Sequence, residues 1–166
     1  MALTFREATE EEYDDVRRVT LDAYLGAGYF GADNPYVSTL ADVEDRAKSA
    51  VIWIGELDGK VVSAAALVQA GDPYADIARE GELEFRMLAV DPAAQGQGIG
   101  RKTVESIEDY ARTLPGVHTV SLTSAEQMLG AHRLYAAMGF DRVPERDWLV
   151  PNENIKLLVF TKSVAR

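Results

Sequence analysis

One short segment of this sequence is suited to holding an anion. Gln95-Gly96-Gln97-Gly98-Ile99-Gly100-Arg101-Lys102 carries glycine at 96, 98 and 100. With no Cβ at these positions, a ligand can approach the backbone closely. The segment joins a predicted strand to a predicted helix. The first N–H groups of a helix have no internal acceptor and, with the helix dipole, attract negative charge. Arg101 and Lys102 fall in the first turn, where cations oppose the dipole, and a bound polyanion would reverse that penalty. The pattern asks for phosphate or pyrophosphate. Two common phosphate loops fail to fit. A Walker A loop needs lysine after its last glycine, where Arg101 stands, and glycine at 95, where Gln95 stands. A Gly-x-Gly-x-x-Gly fingerprint would need glycine at Arg101 or at Thr103.

Other residues able to do chemistry are sparse. Glu82, Glu84 and Arg86 alternate along a predicted strand and so share a face. They read as a charged row on a solvated face or as a Glu84–Arg86 pair. His118 and His132 are the histidines, and no Ser-His-Asp signature accompanies them. Tyr135 lies at helical spacing from Ala131 and Met138, the pattern of a packed core residue. The chain has no cysteine, which excludes disulfides, zinc–thiolate sites and a thiol nucleophile. No metal site is expected.

The elements that position these groups follow from periodicity and turn chemistry. Leu3 to Ala8 reads as a strand. Thr9 and Glu12 form a capping box ahead of a helix from about 10 to 24, carrying Tyr13, Val16, Thr20 and Ala23 inward. Gly26, Gly28 and Gly31 end it in an aromatic-rich loop. A short helix from Ser38 or Thr39 turns Leu40, Val43 and Ala47 inward. The strands 51–57 and 60–69 flank Asp58-Gly59, which suits a tight two-residue hairpin turn. Ala64, Ala65 and Ala66 on the second strand leave room for close packing. A polar loop, 70–80, leads to a strand at 81–90 that Asp91-Pro92 ends. A helix at 98–114, a strand at 118–123 and a helix opened by a Ser124/Gln127 capping box follow. Gly139 is placed for a left-handed cap. Strands at 140–143 and 154–162 close the chain. The order is that of a mixed sheet with helices on its faces, and 81–123 forms a right-handed strand-helix-strand crossover with parallel strands.

With 166 residues, 47% of them apolar, the chain is expected to form one domain over 1–166. The net charge of −10 argues against a nucleic-acid binder, since phosphate contacts need a basic face. It mildly favours a cationic or amine partner, while simple solubility explains it equally well. No apolar run approaches the ~18 residues of a membrane span, and the first residues lack a signal-peptide layout. A cytoplasmic protein with no membrane partner is the expectation.

Gln95, Gly98 and Gly100 fit the pattern Gln-x-x-Gly-x-Gly. With Leu88-Ala89-Val90-Asp91-Pro92 before it, the segment closely resembles the acetyl-CoA-binding motif of the GNAT superfamily, the GCN5-related N-acetyltransferases. Downstream, Ala131-His132-Arg133-Leu134-Tyr135-Ala136-Ala137-Met138-Gly139-Phe140 resembles that family's Ala-x-x-Leu-Tyr-x-x-x-Gly-Phe segment. The order of elements also matches, from residue 3 to about 162. One position departs: the family often carries asparagine where this chain has Met128.

The resemblance implies an α+β fold with a central mixed, mostly antiparallel sheet of about seven strands flanked by helices. The strands 83–90 and 118–123 would splay into a V-shaped cofactor cleft. Pantetheine would pair with backbone at Leu88 and Val90, with Ala89 between them. Pyrophosphate would sit on the amides of Gln95, Gly96, Gln97, Gly98, Ile99, Gly100 and Arg101, with His132 beside the site. Tyr135 is implied as the acid for the leaving thiolate and Glu84 as the base. A backbone N–H near Leu88 or Ala89 would serve the oxyanion. The implied reaction is transfer of an acetyl group from acetyl-CoA to a primary amine by direct attack in a ternary complex, needing no metal. An acyl-CoA-binding module without turnover is the alternative. The acceptor, a small-molecule amine or a protein amine, is left open. Its pocket is expected from the 24–36 and 70–80 loops and the segment 144–153, with Tyr29, Phe30 and Trp148 as wall residues. Many relatives form homodimers, and the sequence leaves oligomeric state open.

Overall fold

The computed structural model describes residues 2–28, 31–151 and 154–165. Tyr29 and Phe30, expected as wall residues, lie outside them. Eight strands form one sheet in the order β1-β2-β3-β4-β5-β8-β6, with β7 also on β8. The strands are β1 (Leu3–Glu7), β2 (Val51–Leu57), β3 (Lys60–Val68), β4 (Glu82–Val90), β5 (Thr119–Ala125), β6 (Asp141–Arg142), β7 (Trp148–Val150) and β8 (Ile155–Ser163). Every pairing is antiparallel except β4 with β5. The helices are α1 (Tyr13–Gly26), α2 (Tyr36–Ala41), α3 (Val43–Ala47), α4 (Ile99–Thr113) and α5 (Leu129–Ala137).

The alternation of strand residues sorts the core into two layers. Trp53, Leu67, Leu83, Phe85 and Leu122 pack with Val104, Ile107 and Ala111 of α4 and with Tyr135 and Met138 around α5. Ile52, Ile54, Ala64 and Ala89 pack with Val16 and Val19 of α1 and with Val43 of α3. The small side chains on β3 are what let α1 lie close, since packing at interior density leaves no space for larger ones there.

Most expected elements are present, and three differ. The helix expected from Ser38 is two short ones, because Asp42 takes a non-helical conformation and its carboxylate caps the second by accepting from the Asp45 amide. The Ser124/Gln127 capping box does not form. β5 runs on to Ala125, α5 starts only at Leu129, and the Ser124 hydroxyl meets Met128 Sδ instead. Strand β7 was not expected, so the sheet has eight strands rather than about seven. Three residues beside a proline-containing turn carry too little pattern to read. Asp58 and Gly59 take the positive φ angles (51° and 84°) that their turn requires.

The predicted Thr9/Glu12 capping box forms. Glu12 Oε1 accepts from the Thr9 amide at 2.8 Å, and both Glu12 oxygens take donors from Arg6 at 2.8 and 2.7 Å. Arg6 also reaches Glu56 at 2.9 Å, so one guanidinium ties β1, β2 and the entry to α1. Hydrogen bonds from the Arg6 guanidinium pull the Glu12 carboxyl down to about 2 from an ordinary 4.5. A depressed acid stabilises the fold above its unfolded pKa, and that contribution is lost as pH falls through the folded value. Chemical denaturation at stepped pH should therefore show stability falling between about 4.5 and about 2, with a shallower slope in Glu12→Gln. Equal slopes would show that the Arg6–Glu12 pair contributes nothing across that range.

Candidate active site

The site begins where β4 leaves β5. The parallel ladder pairs Glu82 with Thr119, Leu83 with Val120 and Glu84 with Ser121, and goes no further. On its other side β4 pairs with β3, with a bulge that sets Ala66 opposite Arg86 and Ala64 opposite Ala89. Met87, inside the bulge, has φ of +56°, a conformation costly for a side chain of its kind. Bulges that break a ladder and re-aim the chain recur next to active sites. The parted strands open a cleft of about 500 Å³ whose wall includes Phe85 to Val90 of β4 and Thr123 and Ser124 of β5.

The glycine segment closes one end of this cleft. Gly98 is the N-cap of α4 with φ of +74°, and no side chain caps the helix there. The first turn of α4 therefore presents uncapped N–H groups toward the cleft, as an anion site requires. Gly96 and Gly98 have nothing within 4 Å of where a Cβ would stand, so the chain is open toward solvent and ligand on that side. A Cβ at Gly100 would meet Val90 at 3.6 Å and Leu134 at 3.9 Å, both lining the cleft. Arg101 is half exposed, and among the described residues its ion contact is with Glu105 at 4.0 Å. This uncapped cradle fits a pyrophosphate.

Most of the expected donor-binding residues come together here. Leu88, Ala89, Val90, Gln95, Gly96, Gly98, Ile99, Gly100 and Arg101 all line the cleft. Gln97 does not, and its amide instead donates to the Ala94 carbonyl at 3.3 Å. His132 does not either. Its Nε2 lies 3.0 Å from the Ala125 carbonyl and its ring packs on Phe160, because at helical spacing it points inward while Gly130, Ala131 and Leu134 face the cleft. Tyr135 does line the cleft, its ring held by Phe85, Phe140 and Phe160 at centroid distances of 5.7–6.0 Å.

Glu84 is placed differently from a base facing the cleft. It is fully buried, and its Oε1 accepts from the amides of Asp76, Ile77 and Ala78 at 3.0–3.1 Å. Burial raises its carboxyl above the ordinary range, yet its contacts are those of a loop anchor. Glu82 is spent on Arg146 at 2.9 and 3.0 Å. The Glu84–Arg86 pair does not form, and Arg86 Nε instead meets Asp76 at 3.1 Å.

A second cavity of about 290 Å³ adjoins the cleft. Tyr24, Arg86, Met87, Thr123, Ser124 and Met128 belong to both walls. Asn34, Tyr36, Asp76 and Trp148 come from the three segments expected to form an acceptor pocket. Burial pushes the Tyr24 phenol far up, with Tyr36 and Tyr135 close by, and pushes Tyr36 up as well. Both therefore keep their protons at neutral pH. Tyr24 and Asp76 fall in the 24–36 and 70–80 segments expected to shape the pocket, though Asp76 was not named, and Met87 was not expected there at all. The bulge at Met87 has no sequence signal.

Comparison with known proteins agrees with this geometry. A model of the acetyltransferase (GNAT) family matches residues 10–140. N-acetyltransferase 8B from Homo sapiens is 30% identical over 129 residues, 71% of this chain and 55% of that protein. N-acetylaspartate synthetase from Danio rerio is 28% identical over 139 residues, 76% of this chain and 46% of that protein. The chain thus spans about half the length of the curated relatives it matches. The structure of yncA from Salmonella typhimurium, described as a putative acetyltransferase with its cofactor acetyl-CoA, superimposes with a TM-score of 0.69 at 21% identity, covering 100% of this chain and 96% of that one. The cleft between β4 and β5, the glycine turn at its end and the match over 131 residues show that this chain belongs to the acetyltransferase (GNAT) family.

Proposed function

We propose that the protein transfers an acetyl group from acetyl-CoA to a primary amine within a ternary complex. One observation carries this reading: the parted β4/β5 edge and the uncapped N-terminus of α4 lie in the same cleft. The first offers unpaired backbone to an extended pantetheine arm, as an added strand would use it. The second offers amides to a pyrophosphate. The acceptor amine lies in the adjoining cavity.

The chemistry then needs few groups. The acceptor ammonium gives one proton to a base, which passes it on to solvent, and the neutral amine attacks the thioester carbon. The carbon–sulfur bond breaks as the oxyanion collapses. The departing thiolate takes a proton from the Tyr135 hydroxyl, and Tyr135 regains one from the nitrogen of the new amide. Backbone N–H groups near Leu88 and Ala89 hold the oxyanion, a service worth several kcal/mol in comparable sites. Glu84 acts through the loop it holds, fixing the backbone of residues 76–78 against β4.

Calorimetric titration with acetyl-CoA tests the donor site, and no binding by the folded protein would overturn this reading. Gly100→Ala separates stability from binding. Alanine is favoured over glycine in a helix by up to ~1 kcal/mol, so the variant should be at least as stable as the parent. The added methyl sits against Val90 and Leu134 in the cleft, and one misplaced methyl is worth roughly tenfold or more in affinity. Unchanged affinity would place the donor elsewhere. Tyr135→Phe keeps the ring packing. It should lower kcat by ~100-fold or more, the usual share of a general acid, while leaving acetyl-CoA affinity intact. An unchanged kcat would reduce Tyr135 to a packing residue.

A further inference from the structure

The cavity beside the cleft carries information about the acceptor. Trp148, Val150, Ile155 and Leu157 give it an apolar side. The same cavity is lined by one ion pair, Asp76 with Arg86, whose side chains are only 24% and 17% exposed. Asp76 is the one carboxylate among the described residues lining either cavity. Arg86 lines both, so it stands where the acceptor would meet the thioester.

The donors and acceptors on this wall are unevenly matched. The Arg86 guanidinium has five N–H donors. It is pinned by Asp76, by the Tyr74 carbonyl at 2.8 Å and, more loosely, by the Tyr36 hydroxyl at 3.3 Å. Two donors remain without an acceptor among the described residues. Buried donors ask for acceptors, and a carboxylate supplies several in a planar array that matches a guanidinium. The single anionic group, Asp76, suits an ammonium.

Resting on the acetyl-transfer reading, we propose that this cavity takes a free amino acid with an apolar or aromatic side chain, its carboxylate on Arg86 and its ammonium on Asp76. The side chain lies against Trp148, Val150 and Leu157. Asp76 accepts the ammonium proton and passes it to solvent, which frees the amine to attack. Burial lifts the Asp76 carboxyl above the ordinary range even with Arg86 beside it, which suits a group that must take up a proton. The Asp76 amide is held by Glu84, so the buried glutamate positions this carboxylate rather than reacting itself. A volume of about 290 Å³ lies at the small end of ligand pockets and fits one residue. A polypeptide N-terminus brings an amine but no carboxylate at this distance.

The test uses thiol release with acetyl-CoA and four acceptors: L-phenylalanine, L-leucine and their carboxamides, which keep the amine and remove the negative charge. Within one preparation, the ratio of kcat/KM for acid over amide is independent of the folded fraction. Wild type should favour the acids by at least about tenfold, the worth of one charged hydrogen bond. Arg86→Gln should bring the ratio close to one, and Arg86→Lys should keep part of it. Asp76→Asn should lower kcat for acids and amides alike with the ratio retained. A wild type that binds acetyl-CoA but uses amides as well as acids, or uses none of the four, overturns this proposal and leaves the donor site standing. A wild type that does not bind acetyl-CoA overturns the acetyl-transfer reading and this proposal with it.

Discussion

Strand β4 is asked to satisfy two neighbours whose geometries disagree. Toward β3 it follows an antiparallel ladder with a bulge, and toward β5 a parallel one that stops at Glu84 and Ser121. Buried backbone N–H and C=O groups need partners, so an edge opened inside a sheet is stable only if something else can pair with it. The strained turn at Met87 is the local cost of the bulge, and such strain collects where a protein binds or reacts. The surrounding architecture follows from this parting. The crossover that leaves β4 must return to β5, and α4 makes that crossing. Its N-terminus therefore lies at the mouth of the gap, and α5, leaving β5, brings Tyr135 to the gap's inner wall.

The proposed donor site is compatible with a net charge of −10. The cradle at 95–101 relies on backbone amides and the field of α4, with Arg101 as a half-exposed addition. Backbone dipoles are fixed by the fold and need no surrounding basic surface. Several acidic residues elsewhere are held in ion pairs that tie elements together, such as Glu12 with Arg6, Asp91 with Arg18 and Glu82 with Arg146. The last of these anchors the segment before β7 to the base of β4, where the ladder to β5 still holds.

The sequence by itself determined the glycine turn and the helix start behind it, while the cleft was implied only by resemblance. Glycines at alternate positions, a helix start and a proline-ended strand are local features, and local features are legible because they depend on neighbours in the chain. Tyr135, Leu88, Val90 and Gly98 all line the one cleft, since each motif occupies one element of fixed geometry. The tertiary structure alone decided which charged groups meet. Spacing put Glu82, Glu84 and Arg86 on one face, but whether Arg86 pairs with Glu84 or Asp76 depends on how the 70–80 loop folds back, and three of its amides capture Glu84. His132 sits inside a recognisable motif yet turns to the Ala125 carbonyl, because α5 begins later than Ser124 and Gln127 imply. The side cavity was foreseen only as three loops. Its Asp76–Arg86 pair and its apolar wall come from segments more than fifty residues apart in the chain, brought together by sheet order, which no local pattern encodes.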